Sequence, residues 1–261
     1  MSQVLVETKG GLVTITLNRP DQLNAFNEEQ HVSFRNALEA ANGDDACRAI
    51  LITGSGRGFC AGQDLGDRNP DTMDVPPDLG HTLETFYNPL IRLIRSIPKP
   101  VICAVNGVAA GAGANIAIAC DMVLAAKSAK FIQSFSKIGL VPDSGGTWTL
   151  PRLIGEARAK ALVLTAEPIM ADEAERIGLI YKCVEDGDLM EEARILAHRF
   201  AQGPTKGFGL AKHALHASAS NSLDEQLDLE QDLQREAGRS EDYAEGVRAF
   251  LGKRAPEYKG T

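Results

Sequence analysis

The chain has 261 residues, 44% of them hydrophobic and 24% charged, with a formal net charge of −8 and a pI near 5.2. Those proportions are ordinary for a globular protein of one larger domain and set aside the disordered and membrane classes. An acidic chain without a block of Lys or Arg is not built around a nucleic-acid surface, although a few local cations can still hold a phosphorylated substrate.

The N-terminus MSQVLVETKG has no basic region followed by an apolar stretch, and no apolar run reaches the ~18 residues of a membrane span. Cys47, Cys60, Cys103, Cys120 and Cys183 are scattered without C-x-x-C spacing, so neither zinc nor disulfides are expected and a reducing cytoplasm fits. Val4 to Thr8 and Leu12 to Leu17 flank Gly10-Gly11 as a β-hairpin. Asn27 to Gln30 opens a helix carrying Val32, Phe34, Leu38 and Ala41, and Asn42-Gly43 closes it. Ala49 to Thr53 is a short buried strand that runs into Gly54-Ser55-Gly56. Residues 66 to 80, rich in Asp, Pro and Gly and without apolar period, predict a loop or lid.

A helix from about Leu83 to Ser96 is halted by Pro98 and Pro100, and Val101 to Val105 is a buried strand. After the Asn106-Gly107 turn, residues 109 to 119 contain a small-residue helix, followed by a strand from Met122 to Ala125. Trp148 to Ile154, Ala157 to Leu164, Ala171 to Arg176 and Glu191 to Ala201 read as helices, and beyond Pro204 the chain is almost wholly helical. Leu223, Leu227, Leu229 and Leu233 alternate with charges as the apolar stripe of an amphipathic helix. The expected organisation is an α/β core over 1–200 carrying the site and a helical region over 201–261 for assembly or as a lid.

Three stretches can carry chemistry. Gly58 to Leu65 (GFCAGQDL) follows a strand, and backbone N–H groups beside its glycine can face a ligand oxygen without side-chain bulk, although an ordinary strand-to-helix turn is the commoner role of such a stretch. Asn106 to Asn115 (NGVAAGAGAN) runs from a strand into a helix N-terminus, where free donors meet the positive end of the dipole. It matches neither G-x-G-x-x-G nor the P-loop, and close packing of a small-residue helix accounts for it equally well. Gly139 to Thr147 (GLVPDSGGT) sets a lone carboxylate, Asp143, between proline and small residues, where a helix N-cap is the commoner role.

Taken together, FCAGQDL, PKPVICAVNG with its glycine-alanine continuation, IGLVPDSGGT, and NRPDQLNAF near the start resemble the crotonase superfamily of CoA-thioester enzymes. The resemblance spans nearly the whole chain. It implies a crotonase-like α/β spiral of ββα units with a helical C-terminal trimerisation region, a homo-oligomer (trimer or dimer of trimers), an acyl-CoA substrate and no separate cofactor. It also implies an oxyanion hole from the backbone N–H groups of Gln63 and Ala112, whose side-chain identity would matter little. Asp143 would be the catalytic acid/base, and Ala61, Asp64, Leu65, Phe135 and Asn115 would contact substrate or CoA. Arg19 or Lys137 would meet its phosphates.

Hydratases of the superfamily activate water with two glutamates, and the matching positions here are Asn115 and Phe135, neither of which is a base. AGQDLGDRN, FYNPLIR and SAKFIQSFSK are similar to the branch of the family that isomerises ring-epoxidised phenylacetyl thioesters to an oxepin, a branch linked to migration of a Δ3 double bond to Δ2. Three rivals stay open: an enoyl-CoA hydratase, a halobenzoyl-CoA dehalogenase in which Asp143 is a nucleophile, and a non-catalytic binding scaffold. His31, His81, His198, His213 and His216 lie outside these stretches and are expected to be packing or surface residues.

Overall fold

The computed structural model of the chain describes residues 2–68, 75 and 77–261. β1 (Val4–Lys9) and β2 (Leu12–Leu17) form the expected antiparallel hairpin, with Lys9 opposite Leu12 across the Gly10–Gly11 turn. Only Val4 of β1 is buried, so this strand is the sheet's solvent edge. α1 (Glu28–Gly43) is capped by Asn27, whose Oδ1 accepts the Gln30 N–H at 2.9 Å. Its inner face is Gln30, His31, Phe34, Leu38 and Ala41. Val32, grouped by its apolarity with that face, is exposed, because the 3.6-residue period through Phe34 selects positions 30, 31, 38 and 41 instead. At the other end the Lys99 ammonium donates to the carbonyls of Ala41, Asn42 and Asp44 at 2.8, 2.9 and 2.7 Å, satisfying groups a helix end leaves open.

The middle of the chain repeats one move. β3 (Ala49–Gly54) is followed by β4 (Gly58–Cys60), β5 (Val101–Val105) by β6 (Val108–Ala110) and α4 (Ala112–Ala119), and β7 (Met122–Ala126) by β8 (Lys130–Ile132). The first strand of each pair extends a six-stranded sheet ordered β1-β2-β3-β5-β7-β10, where β10 is Lys182–Val184. The second strands build a smaller sheet, β4-β6-β8-β9, with β9 (Ile169–Met170) antiparallel at its edge. From β2 to β10 the large sheet is parallel, and β3 and β5 are buried nearly throughout, as a parallel sheet covered on both faces must be. Each repeat therefore steps one strand along both sheets, which is the expected spiral of ββα units.

The helical stretch before β5 is α2 (Leu79–Thr82), a π turn at Leu83–Tyr87, and α3 (Asn88–Ser96). Of the loop expected over 66–80, residues 69–74 and 76 lie outside the described residues; Gly66–Arg68 is a 3-10 turn and Leu79 and Gly80 already belong to α2. α5 (Gly146–Ile154), α6 (Glu156–Thr165) and α7 (Ala171–Arg176) follow the small sheet. α8 (Leu189–Ala201) buries Leu189, Ala193, Ala197 and Ala201 across β3, β5 and β7. α9 (Thr205–Ala217), α10 (Leu223–Ala237) and α11 (Glu241–Leu251) close the chain. Arg48 ties this part to the core through Thr205 Oγ1, the Tyr258 carbonyl and the Gly203 carbonyl, and Lys212 pairs with Asp121 at 2.6 Å. No helix among the described residues is long and apolar enough to cross a membrane. The five cysteines are free thiols, all but Cys183 buried.

Candidate active site

β4, β6 and β8 run parallel, so the segments that leave their C-terminal ends emerge on one side of the small sheet, where ligands of parallel sheets collect. Those segments are Ala61–Leu65, Gly111–Ala112 and the 3-10 turn Ser134–Ile138. With Tyr87, Arg68 and Asp143 they line a cavity of about 370 Å³.

Backbone geometry brings the first two segments together. Gly62 has φ +91°, and a Cβ there would stand 2.9 Å from the Ala110 carbonyl oxygen and 3.3 Å from the Ala112 nitrogen. Gly111, at φ +52°, turns the chain into α4. Only glycine fits both demands at these two positions. Among the described residues neither the Gln63 N–H nor the Ala112 N–H, the first of α4, has an acceptor. Two such donors beside each other can hold one oxygen that gathers negative charge. Cys60, beneath this turn, accepts the Gly62 N–H at 3.4 Å, and burial pushes its thiol up to about 12, so it is packing rather than nucleophile.

Asp143 is not the cap of the helix that follows it. α5 begins at Gly146 behind the left-handed residues Ser144 (φ +51°) and Gly145 (φ +73°), with no side-chain cap. The Asp143 carbonyl instead accepts the Gly146 N–H at 2.9 Å and the Asn115 Nδ2–H at 2.8 Å, which fixes the backbone while the carboxyl faces the cavity. Its Oδ1 accepts the Ser144 hydroxyl at 2.8 Å. Burial lifts the carboxyl above its usual range, and the Ser144 hydroxyl and the Arg68 guanidinium oppose that rise.

Of the residues marked out by sequence, Ala61, Gln63, Leu65, Ala112, Phe135 and Asp143 meet at this cavity. Asp64 does not line it. Its carboxylate is bound to Arg19 at 2.8 Å and lowered first by the Gly66 N–H and then by Arg19, while Arg19 also holds the Ala25 carbonyl, so both are committed to the loop. Asn115 is 1% exposed and also off the wall; between Asp143 and the Gln133 amide, at 2.9 Å, it braces the carboxylate's backbone. Lys137 is exposed and off the wall as well. The Gln63 side chain, expected to be indifferent, donates to the Phe26 carbonyl at 3.0 Å and accepts the Tyr87 hydroxyl at 3.0 Å. Arg68, Tyr87, Ser134 and the exposed apolar rim of Ile138, Leu140 and Val141 complete the wall. Arg68 and Tyr87 lie within the AGQDLGDRN and FYNPLIR stretches that carry the resemblance to the isomerase branch, but nothing in their spacing singles out either side chain for the site.

Residues 7–261 match the model of the Enoyl-CoA hydratase/isomerase family. The chain belongs to that family. It is 53% identical over 260 residues to the 1,2-epoxyphenylacetyl-CoA isomerase of Escherichia coli strain K12, covering 100% of this chain and 99% of the relative. It is 50% identical over 254 residues to a "Probable enoyl-CoA hydratase" of Rhodobacter capsulatus, covering 97% and 96%. The crystal structure of an enoyl-CoA hydratase from Polaromonas sp. JS666 superposes with a TM-score of 0.90 at 35% identity, covering 98% of this chain and 99% of that one. The family fold is thus the crotonase fold expected from the motifs. Both isomerases and hydratases stand among the relatives, so the choice between them falls to the cavity.

Proposed function

We propose that the chain isomerises acyl-CoA thioesters, converting 2-(1,2-epoxy-1,2-dihydrophenyl)acetyl-CoA to its oxepin thioester and moving Δ3 double bonds to Δ2, within phenylacetate catabolism. The observation that carries this reading is a single carboxylate, Asp143, among the described residues of a cavity whose floor pairs the Gln63 and Ala112 N–H groups. The likeness to the 1,2-epoxyphenylacetyl-CoA isomerase supports the ring-epoxide substrate.

In double-bond migration the Asp143 carboxylate takes a proton from C2 of the acyl chain. The electron pair moves onto the thioester oxygen, giving a dienolate that the Gln63 and Ala112 N–H groups hold, each contributing about 3 kcal/mol in the transition state. The protonated Asp143 then returns the proton to C4 and the double bond ends between C2 and C3. A carboxyl lifted by burial is suited to both halves, since its proton affinity is brought nearer to the working pH. Oxepin formation breaks the ring bond shared with the epoxide by electron reorganisation without net proton transfer. There the pocket acts by holding the thioester and the ring, and Phe135 and Leu83 offer apolar surface for the latter.

Hydration requires a second base to activate water. Phe135 stands at one position matching a hydratase glutamate and Asn115, at the other, is turned to the Asp143 backbone, which supports isomerisation over hydration. Neither chemistry proposed here calls on a cofactor beyond the CoA of the substrate. The exposed Leu215, Leu223, Leu227, Phe250 and Leu251 of α9–α11 support a homo-oligomer built from trimers, with residues 1–200 as the site-bearing core; light scattering showing a 27.9 kDa species would oppose it. The function is tested by assaying the purified protein against ring-epoxidised phenylacetyl-CoA, a Δ3-enoyl-CoA and crotonyl-CoA. Turnover of the first two, with crotonyl-CoA hydration at least about a hundredfold slower, is expected from the missing second base; efficient hydration would overturn the reading.

A further inference from the structure

Tyr87 takes no part in the steps above, yet it is 1% exposed, lines the cavity and aims its only polar atom at the Gln63 side chain. The Gln63 carboxamide is held at both ends. Its Oε1 accepts the Tyr87 hydroxyl at 3.0 Å, and its Nε2 donates to the Phe26 carbonyl at 3.0 Å and the Asp64 carbonyl at 3.3 Å. The backbone on either side is pinned to the same residue, since the Phe26 N–H donates to the Gly62 carbonyl at 2.7 Å and the Phe26 carbonyl accepts the Asp64 N–H at 2.9 Å. With the Gly62 N–H given to Cys60 Sγ at 3.4 Å, these bonds leave the Gln63 N–H as the one backbone donor of 62–64 without an acceptor among the described residues.

Tyr87 reaches this position from the π turn at Leu83–Tyr87, a helix irregularity that clusters at functional sites. Its ring lies edge-on to His31 at 4.4 Å and 88°, and His31 is itself packed on Phe26 at 4.5 Å and stacked on Phe86 at 5.1 Å. Burial first, then Arg68 and Arg35, drive the His31 pKa down to about 3, so this plate is uncharged, and among the described residues neither ring nitrogen has a partner. It fixes the Tyr87 ring by packing alone.

We propose that Tyr87 is a positioning residue for the Gln63 amide: its hydroxyl locks the Gln63 carboxamide, and through it the 62–64 backbone whose N–H receives the thioester oxygen. The inference rests on the oxyanion role proposed above. A preorganised donor acts only as well as its direction is held, and removing one outright costs about 10²–10³ in kcat. Loosening it should cost part of that, about tenfold.

Tyr87→Phe keeps the ring in its cage and deletes only the lock. In the full-length chain, kcat for Δ3-enoyl-CoA should fall about tenfold with KM within about twofold, because the ground-state thioester draws little on the donor. The second readout is the near-ultraviolet enolate band of bound acetoacetyl-CoA, a thioester that enolises when its oxygen is held. The band should weaken in the variant while affinity for saturated butyryl-CoA is unchanged. Gln63→Leu should reproduce both losses, and adding Tyr87→Phe to it should cost nothing further; this second variant also carries the test if the first does not fold. A Tyr87→Phe enzyme with kcat within about twofold of wild type and an unchanged band, or fully additive losses in the double variant, overturns the inference. If the wild type itself fails to enolise acetoacetyl-CoA, the oxyanion reading fails instead.

Discussion

Asn115→Ala isolates the brace behind the proposed base. The substitution deletes the donor to the Asp143 carbonyl and the acceptor for the Gln133 amide. The Asp143 carbonyl keeps the Gly146 N–H, so the greater loss falls on Gln133, which is 5% exposed and has no partner at its Oε1 among the described residues. Leaving a buried donor unpaired costs about 1–3 kcal/mol, and the small void against Gly146, whose Cβ would stand 2.3 Å from Asn115 Nδ2, adds roughly 1 kcal/mol more. A total of about 2–4 kcal/mol lowers the Tm of a domain this size by roughly 5–15 °C. With one of the two bonds to its carbonyl gone, Asp143 should also lose alignment and kcat for double-bond migration should fall by about tenfold or more. Calorimetry with steady-state kinetics on the same preparation reads both. A Tm within about 2 °C of wild type together with an unchanged kcat would refute the bracing argument.

Replacing Arg68 by Met removes a charge that holds the Asp143 carboxyl down, so the acid limb of the pH–rate profile should move to higher pH; a limb that stays put or moves down contradicts the coupling. Asn115→Glu should not create hydratase activity, because position 115 faces the Asp143 and Gly146 backbone rather than the cavity and a longer acid has no room there; rapid crotonyl-CoA hydration by this variant would show otherwise. Asp143 is raised by burial, so its ionised form costs stability at neutral pH, a cost that vanishes as pH falls through its folded-state pKa toward the ordinary value of 3.8. Asp143→Asn should therefore melt higher than wild type at pH 7 and lose that advantage near pH 4; a lower Tm at pH 7 would mean that the carboxylate is a stabilising partner.

The hairpin, α1, β3, β5, α4 and β7 are legible because runs of five or more residues carry a period, a cap or a glycine turn. The second strand of each repeat is not. Gly58–Cys60, Val108–Ala110 and Lys130–Ile132 are three residues each, too short to show alternation, and they build the small sheet that gathers the site. The chemistry-bearing stretches could thus be recognised while the surface that joins them could not. Asp143 reads locally as an N-cap because the left-handed pair Ser144-Gly145, which starts α5 beyond its reach, leaves no periodic trace. Asp64 and Asn115 drew attention by residue type and motif, yet their partners lie 45 residues away at Arg19 and 28 away at Asp143. Polar residues of this kind are committed by tertiary contacts, which no local pattern reports. The same holds for Gln63, whose side chain matters only once the π turn delivers Tyr87.

In the proposed mechanism one carboxylate, Asp143, moves the proton. Asp143→Asn keeps the shape and can still accept the Ser144 hydroxyl, so the measurement is its rate of Δ3-to-Δ2 migration alongside its affinity for a saturated acyl-CoA. The rate should be lower by at least about 10²-fold, with affinity near wild type. Migration at an essentially unchanged rate would contradict it.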